Sequence, residues 1–280
     1  MRERHLNLDL SRDHAFENDI FDFMGSMETI SLGNERFEIE VDYAWDFNSD
    51  PLITPTIIYE WLYLDKLVSK HVLRDAQSVL SIGGGGTCRT HEYLSPITEE
   101  FVILNTGIWD LETAQSPSNK IRTIKIRAMA ESIPILDNAI SAIEIPATLD
   151  HVVDAKKVIE ESFRILSNGG RIGITLGNSK SWYREVFIRL RISTADNHEH
   201  HHNFHFTNKD VEKLLSDAGF IEIKTKGSAY LKLPKFVERQ IKFPILLSVH
   251  RFISNKVLKS FFGNSRGGMF LTYAVKPSKK

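Results

Sequence analysis

Apolar and polar positions along the chain follow two periods, one after the other. Short apolar runs rich in β-branched residues occur at "SVLSI" (78–82), "FVILN" (101–105), "IRTIKI" (121–126) and "ISAIEIP" (140–146). They continue at "RIGITLG" (171–177), "IEIKTKG" (221–227) and "GGMFLTYAVKP" (268–277), and all read as strands. Between them lie stretches with apolar residues three and four apart, the helical spacing: "TPTIIYEWLYLDKLVSKHVL" (54–73), "DAKKVIEESFRIL" (154–166) and "TNKDVEKLLSDAGF" (207–220). Thr54 with Pro55 suits a helix start, Thr207 suits an N-cap, and Gly219 closes its helix. "SNGG" (167–170) reads as the turn ahead of strand 171–177. The first fifty residues are irregular in pattern, with "FEIEVDYAWDF" (37–47) as a strand or hairpin arm.

Strands alternating with helices of this length predict an α/β fold, a mainly parallel sheet wrapped on both faces. Such sheets bind ligands at the carboxyl ends of their strands, where the strand order reverses. The first strand of the series runs into four glycines, Gly83, Gly84, Gly85 and Gly86, and then into a helix-like segment. Glycines there allow a tight turn and close approach of backbone to a ligand.

Composition changes this picture little. At 280 residues, 42% apolar and 25% charged, the chain is an ordinary globule, one large domain or a domain with a lid. Cys88 is its single cysteine, so no disulfide forms within the chain, which fits a reducing compartment. No basic, apolar leader opens the sequence, and no run of ~18 apolar residues suggests a membrane span. The expected location is cytoplasmic, or cytoplasmic and held at the membrane periphery.

Charge is uneven. A net charge of −1 covers thirteen acids against four arginines in residues 1–50, and nine Lys and Arg with no acid from Arg239 to Lys280. The neutral total argues against a dedicated nucleic-acid binder. "RQIKFPILLSVHRFISNKVLKSFF" (239–262) mixes cations with large apolar residues. It reads either as a surface for anionic lipid or a phosphate-linked acceptor, or as a helical lid with a solvated basic face. "HEHHHNFHF" (198–206) gathers five histidines without a supporting thiol, so no metal site is assigned there.

Four blocks in order resemble the class I S-adenosylmethionine-dependent methyltransferases, in particular the group related to ubiquinone/menaquinone-biosynthesis methyltransferases. They are "VLSIGGGG", "AESIPILDNAISAI" (130–143), "LDHVVDAKKVIEESFRILSNGGRIGI" (149–174) and "HFTNKDVEKLLSDAGF" (205–220). The resemblance spans roughly 76–227, with the last strand near 268–277. It implies a Rossmann-like, seven-stranded sheet whose last strand is antiparallel, with helices on both faces. Residues 1–75 become an N-terminal extension or lid, 76–280 the methyltransferase-like domain, and 228–267 a helical cap inserted in it.

The implied cofactor is S-adenosylmethionine, and the implied reaction is methyl transfer to a small-molecule or glycan/lipid-linked acceptor, with no nucleic acid involved. The resemblance puts the methionine end of the cofactor against Ser81 and Gly83–Gly86, its ribose edge at Asn105 and its adenine at Met129 and Ala130. His151 and His205 fall on the acceptor side as candidate catalytic groups. Relatives usually carry acids where this chain has Ser81, Asn105, Met129 and Ser141. Asp110 or Glu112 could stand in for one of them if the loop is shifted. The four missing acids favour the alternative of a catalytically degenerate binding protein; the glycine run, "LDHV" and the "FT" helix stand against it. A dinucleotide oxidoreductase fits poorly, for want of G-x-G-x-x-G followed by an acid ~20 residues on.

Overall fold

The structure, a computed structural model, describes residues 8–25, 29–32, 35–38, 54–84, 93–189 and 205–278. Its centre is a sheet containing β1 (Ala15–Glu17), β2 (Ile20–Asp22), β5 (Ser78–Ile82), β6 (Glu100–Asn105), β7 (Arg122–Arg127), β8 (Ile140–Pro146), β9 (Leu166–Gly177), β10 (Ile221–Ser228) and β11 (Met269–Val275). The strand order is β1-β2-β7-β6-β5-β8-β9-β11-β10, and a separate hairpin pairs β3 (Thr29–Leu32) with β4 (Glu35–Glu38). From β7 to β10 this is the expected arrangement of seven strands, parallel except for β11, which is antiparallel to both its neighbours.

Among the described residues the sheet has nine strands, two more than the seven expected. The two extra come from the segment taken as irregular: Asn18 and Asp19 both have positive φ and close a two-residue hairpin between β1 and β2. β2 then adds parallel to β7, with Ile20 buried beneath it. "SNGG" differs as well. It is a bulge inside β9, where Leu166 faces Ile140 and Arg171 faces Ala142. Gly169 donates to the Lys276 carbonyl and Lys276 to that of Gly170, so the ladder passes through the bulge unbroken.

Two apolar layers cover the sheet. α3 (Ala155–Ile165) and α5 (Asn208–Asp217) lay Val158, Ile159, Val211 and Leu215 on Leu80, Val102, Ile143 and Ile172. On the opposite face, α1 (Pro55–Val68) and the π-helical turn that extends it (Ser69–Leu73) lay Leu64, Val68, Val72 and Leu73 on Val79, Phe101, Ile103 and Ala142. α1 therefore belongs to the core of the sheet. Its start is the expected one, with Thr54 Oγ1 accepting from the Ile57 N–H and Pro55 in the first turn. α5 has the expected cap at Thr207, completed by the Asp210 carboxylate, which accepts from the Thr207 N–H at 2.8 Å.

Connectivity fixes which end of the sheet the cap covers. β10 runs parallel to β9, so the segment after Ser228 starts at the carboxyl ends of the parallel strands. α6 (Lys235–Glu238), α7 (Pro244–Phe252), a π-helical stretch (Ile253–Leu258) and α8 (Lys259–Phe262) make up the cap. It is bolted to the first turns of α1 by a buried polar network around Glu60. Glu60 Oε2 accepts from Asn255 Nδ2 at 2.6 Å, from the Ala229 N–H at 3.3 Å and from the Ser228 hydroxyl. Glu238, also buried, accepts from Thr54 Oγ1 and Lys232 Nζ, both at 3.1 Å. Ser254 Oγ accepts from the N–H groups of Tyr230 (2.8 Å) and Leu231 (3.2 Å).

His250 sits in this network at 5% exposure. Burial holds its imidazole below the usual value, with Lys232 adding to the depression and Glu60, Glu238 and a backbone bond to Leu231 pulling the other way. A depressed imidazole binds a proton more weakly in the folded chain than in the unfolded one. Its contribution to stability is therefore full above the ordinary imidazole range and is lost as pH falls through the folded value. Thermal unfolding followed from about pH 7 down to about 5 should show a falling melting temperature, and His250→Gln should flatten that slope.

Candidate active site

The order reverses at β5: the chain leaves it for β6 on one side, and β8 pairs on the other. The crevice at the carboxyl ends of β5, β6 and β8 is therefore where a ligand is expected. Gly83 opens it. Its φ is +69°, its N–H donates to the Leu104 carbonyl at 2.8 Å, and its carbonyl accepts from Thr148 Oγ1 at 3.1 Å. A Cβ here would lie 2.3 Å from Thr148 Cγ2. Gly83 thus welds the loops after β5 and β8 together, and its own amide is spent on β6. Gly84 follows, partly exposed, while Gly85, Gly86 and Cys88 lie outside the described residues.

Ser81 is fully buried, and its hydroxyl has no hydrogen-bond partner among the described residues. Glu144 on β8 is its register partner, on the same face and likewise buried. A carboxylate is thus present beside the position where relatives carry one, on the neighbouring strand. The sequence signal for it was an acid inside an apolar strand, "ISAIEIP", which is costly unless the acid has a role.

Asn105 ends β6. Its Oδ1 accepts from the N–H groups of Thr106 (2.7 Å) and Gly107 (3.3 Å), which leaves the amide to donate to Asp110 Oδ2 at 2.9 Å. Asn105 therefore builds the turn and holds Asp110, in the first turn of α2 (Ile108–Thr113), at the strand end. Asp110 is one of the two acids considered from the sequence as substitutes.

A second layer fixes this turn. Arg127 Nε donates to the Thr106 carbonyl at 3.0 Å, and Arg127 Nη1 donates to Asp22 Oδ2 at 3.0 Å and to the Gly25 carbonyl at 2.7 Å. Burial raises the Asp22 carboxyl, but bonds from the Met24 and Gly25 N–H groups and from Arg127 outweigh it, leaving Asp22 below its ordinary value.

Met129 and Ala130 are buried just beyond β7, and Glu131 after them accepts from the N–H groups of Val153 (2.8 Å) and Asp154 (3.1 Å). Asp154 itself caps α3 through the Lys157 N–H. The start of α3 is thus held by Glu131 and Asp154. The capping role weighed for Asp150 and His151 falls to those two instead. His151 Nε2 lies 3.9 Å from Asp150 Oδ1, both partly buried in the loop after β8. His205 is exposed and precedes Phe206, whose carbonyl accepts from the Ser179 N–H just past β9. Both histidines are at the carboxyl end of the sheet, beside adjacent strands. Among the described residues no cluster of metal-ligating side chains occurs, and His198–His202 lie outside them, as does most of "FEIEVDYAWDF".

Past β9 the wall is stitched to the cap. Asn178 Nδ2 donates to the Ser265 and Gly267 carbonyls at 2.9 and 2.8 Å. Trp182, which opens α4 (Trp182–Arg189), donates to the Tyr230 carbonyl at 2.7 Å and stacks on Phe262.

Residues 80–174 match the model of a methyltransferase domain. This stretch runs from β5 into β9 and holds every loop of the crevice just described. This match, together with the fold, supports a class I S-adenosylmethionine-dependent methyltransferase domain, with S-adenosylmethionine as its cofactor. Solved structures of similar fold include an S-adenosylmethionine-dependent methyltransferase from Thermotoga maritima, at 17% identity and a TM-score of 0.55, over 79% of this chain and 91% of that one. An S-adenosylmethionine-dependent methyltransferase from Aquifex aeolicus aligns at 14% identity and 0.51, over 81% and 98%. The cyclase SpnF aligns at 16% identity and 0.53, over 83% and 87%. No curated protein matches the chain in sequence.

Gly83→Ala should destabilise the fold by about 3 kcal/mol, through the positive φ and the collision with Thr148. Chemical denaturation reads the loss, and adding Thr148→Ala should recover part of it but not the part due to φ.

Proposed function

We propose that the chain binds S-adenosylmethionine in the crevice at β5, β6 and β8 and transfers its methyl group to a small-molecule or glycan/lipid-linked acceptor lying toward β8 and β9, beneath the cap. The observation that carries this reading is the Asp110 carboxylate held by Asn105 at the end of β6. A carboxylate there can accept from both ribose hydroxyls in charge-assisted bonds. Gly84 borders the approach to the methionine end, with Ser81 buried behind it; Met129 and Ala130 offer an apolar surface to the adenine.

When bound, S-adenosylmethionine supplies a methyl group activated on sulfur. The chain's own residues have the simpler tasks of alignment and exclusion of water. For a hydroxyl acceptor a proton must also leave, and in this reading His151, with Asp150 beside it, takes it, while His205 bonds the acceptor from the β9 side. The chain acts in the cytoplasm, with peripheral membrane contact through 239–262, and the cap covers the acceptor side. No helix among the described residues is long and apolar enough to cross a membrane.

Titration calorimetry with S-adenosylmethionine and S-adenosylhomocysteine tests the cofactor. Absence of heat at millimolar ligand would overturn this reading. Asp110→Asn should weaken binding roughly 10- to 150-fold, the range of one lost charge-assisted bond of about 1.5–3 kcal/mol. Asn105→Asp, which restores the acid usual in relatives, should weaken binding too, because it sets two carboxylates against each other.

His151→Gln should leave cofactor affinity unchanged. It should lower the incorporation of labelled methyl into cell-extract fractions by about 100-fold or more.

A further inference from the structure

The cap helix α7 is amphipathic in the reverse sense. The side it turns inward carries His250 and, one turn on, Ser254 and Asn255, all buried. The side it turns outward carries Ile245 (76% exposed), Leu246, Val249 and Phe252 (61%), with Phe243 before and Val257 after. The helix has no freedom to roll these side chains in. Asn255 is bonded to Glu60, Ser254 to the Tyr230 and Leu231 amides, and Arg251 is stacked over the Tyr59 ring with its guanidinium 4.8 Å from the centroid. An open trough of ≈ 400 Å³ runs along this face, lined by Pro244, Ile245, Ser248, Val249 and Phe252. A contiguous apolar face of this kind on an otherwise well-packed domain marks a surface that another phase or molecule covers.

Charge selects the occupant. No carboxylate occurs from residue 239 to the end of the sequence, and exposed Lys242 and Lys256 border the apolar stripe. An apolar stripe edged by cations and free of acids complements an anionic bilayer, whose headgroups meet the ammonium groups while the acyl region takes the apolar side chains.

We propose that the outward stripe of α7 seats on an anionic membrane surface, with Phe243, Ile245, Val249 and Phe252 inserted and Lys242 and Lys256 at headgroup level. The seat itself is independent of catalysis. Its consequence for substrate rests on the methyl-transfer reading: the cap is stitched through Asn178 and Trp182 to the wall past β9, so docking would present the acceptor side to amphiphiles held in the bilayer.

The test is co-sedimentation of the full chain with phosphatidylcholine vesicles, with and without phosphatidylglycerol. Binding should require phosphatidylglycerol and weaken with added salt. The double variant Ile245→Ser/Phe252→Ser should lose binding by about 100-fold, roughly tenfold per inserted side chain, while melting as the native chain does. Lys242→Glu/Lys256→Glu should abolish the preference for phosphatidylglycerol. Failure to bind either vesicle, or binding unchanged in the serine variant, would overturn the proposal. A concentration-dependent dimer in analytical ultracentrifugation that the serine variant dissolves, without vesicle binding, would assign the face to a second copy and overturn it as well. Titration of both variants with S-adenosylmethionine keeps the two readings apart, since cofactor binding should be unaffected in each.

Discussion

Two loops must leave neighbouring strands at one point and turn opposite ways, and Gly83 is the residue that lets them. A side chain on it would occupy the space of Thr148, and its positive φ is one that other residues adopt only with strain. With Gly83 in place, the loop after β5 is bonded to β6 through one backbone group and to the β8 loop through the other. The crevice exists because these two strands stay in contact while their exits diverge. The turn at Asn105, the Asp110 carboxylate and the His151 loop are all built outward from that junction.

The crevice's carboxylates stand on other backbone positions than those the resemblance implies. Relatives usually place acids at strand positions that here hold Ser81 and Asn105. In this chain Glu144 lies across from Ser81 on the next strand, and Asp110 is delivered to the end of β6 by a helix turn. Charge near the crevice is thereby kept with different backbone attachments. The Asp110 arrangement is the more elaborate: a short helix, an asparagine-built turn, Arg127 bracing that turn and Asp22 fixing Arg127. The N-terminal hairpin, which adds two strands to the sheet edge, brings in Asp22. What resembles decoration of the fold is part of the support for its site.

How much of this was legible in the sequence depended on the range of the interaction responsible. The seven principal strands and helices α1, α3 and α5 were readable because burial imposes a period on each segment separately. The β1–β2 hairpin was not, since its signal is just two residues, Asn18 and Asp19, whose positive φ does not show in an apolar pattern. "SNGG" signalled a turn, but bonds to Lys276, distant in sequence, keep it within β9 as a bulge. At the crevice, Gly83 and His151 were named by position in their motifs, and Asp110 as a substitute acid. The bond that gives Asp110 its place depends on Asn105 spending its oxygen on backbone, which no spacing reveals. α7 was recognised as amphipathic; which side faced the protein was decided by Glu60, almost two hundred residues earlier.

The placement of β11 bears on how such a chain is made. Last of the strands in chain order, it lies between β9 and β10, bonded to both, and Lys276 just beyond it closes the carboxyl end of α3 through the Phe163 and Leu166 carbonyls. During synthesis β10 therefore emerges with no neighbour to join, and α3 has an open end, until residues 269–276 arrive. The sheet closes by insertion into a gap rather than by growth at an edge. Such non-local pairing is slow and leaves strand edges bare for a time. Between the emergence of β10 and that of β11 the growing chain therefore carries bare strand edges, although the strands of its crevice have already been made.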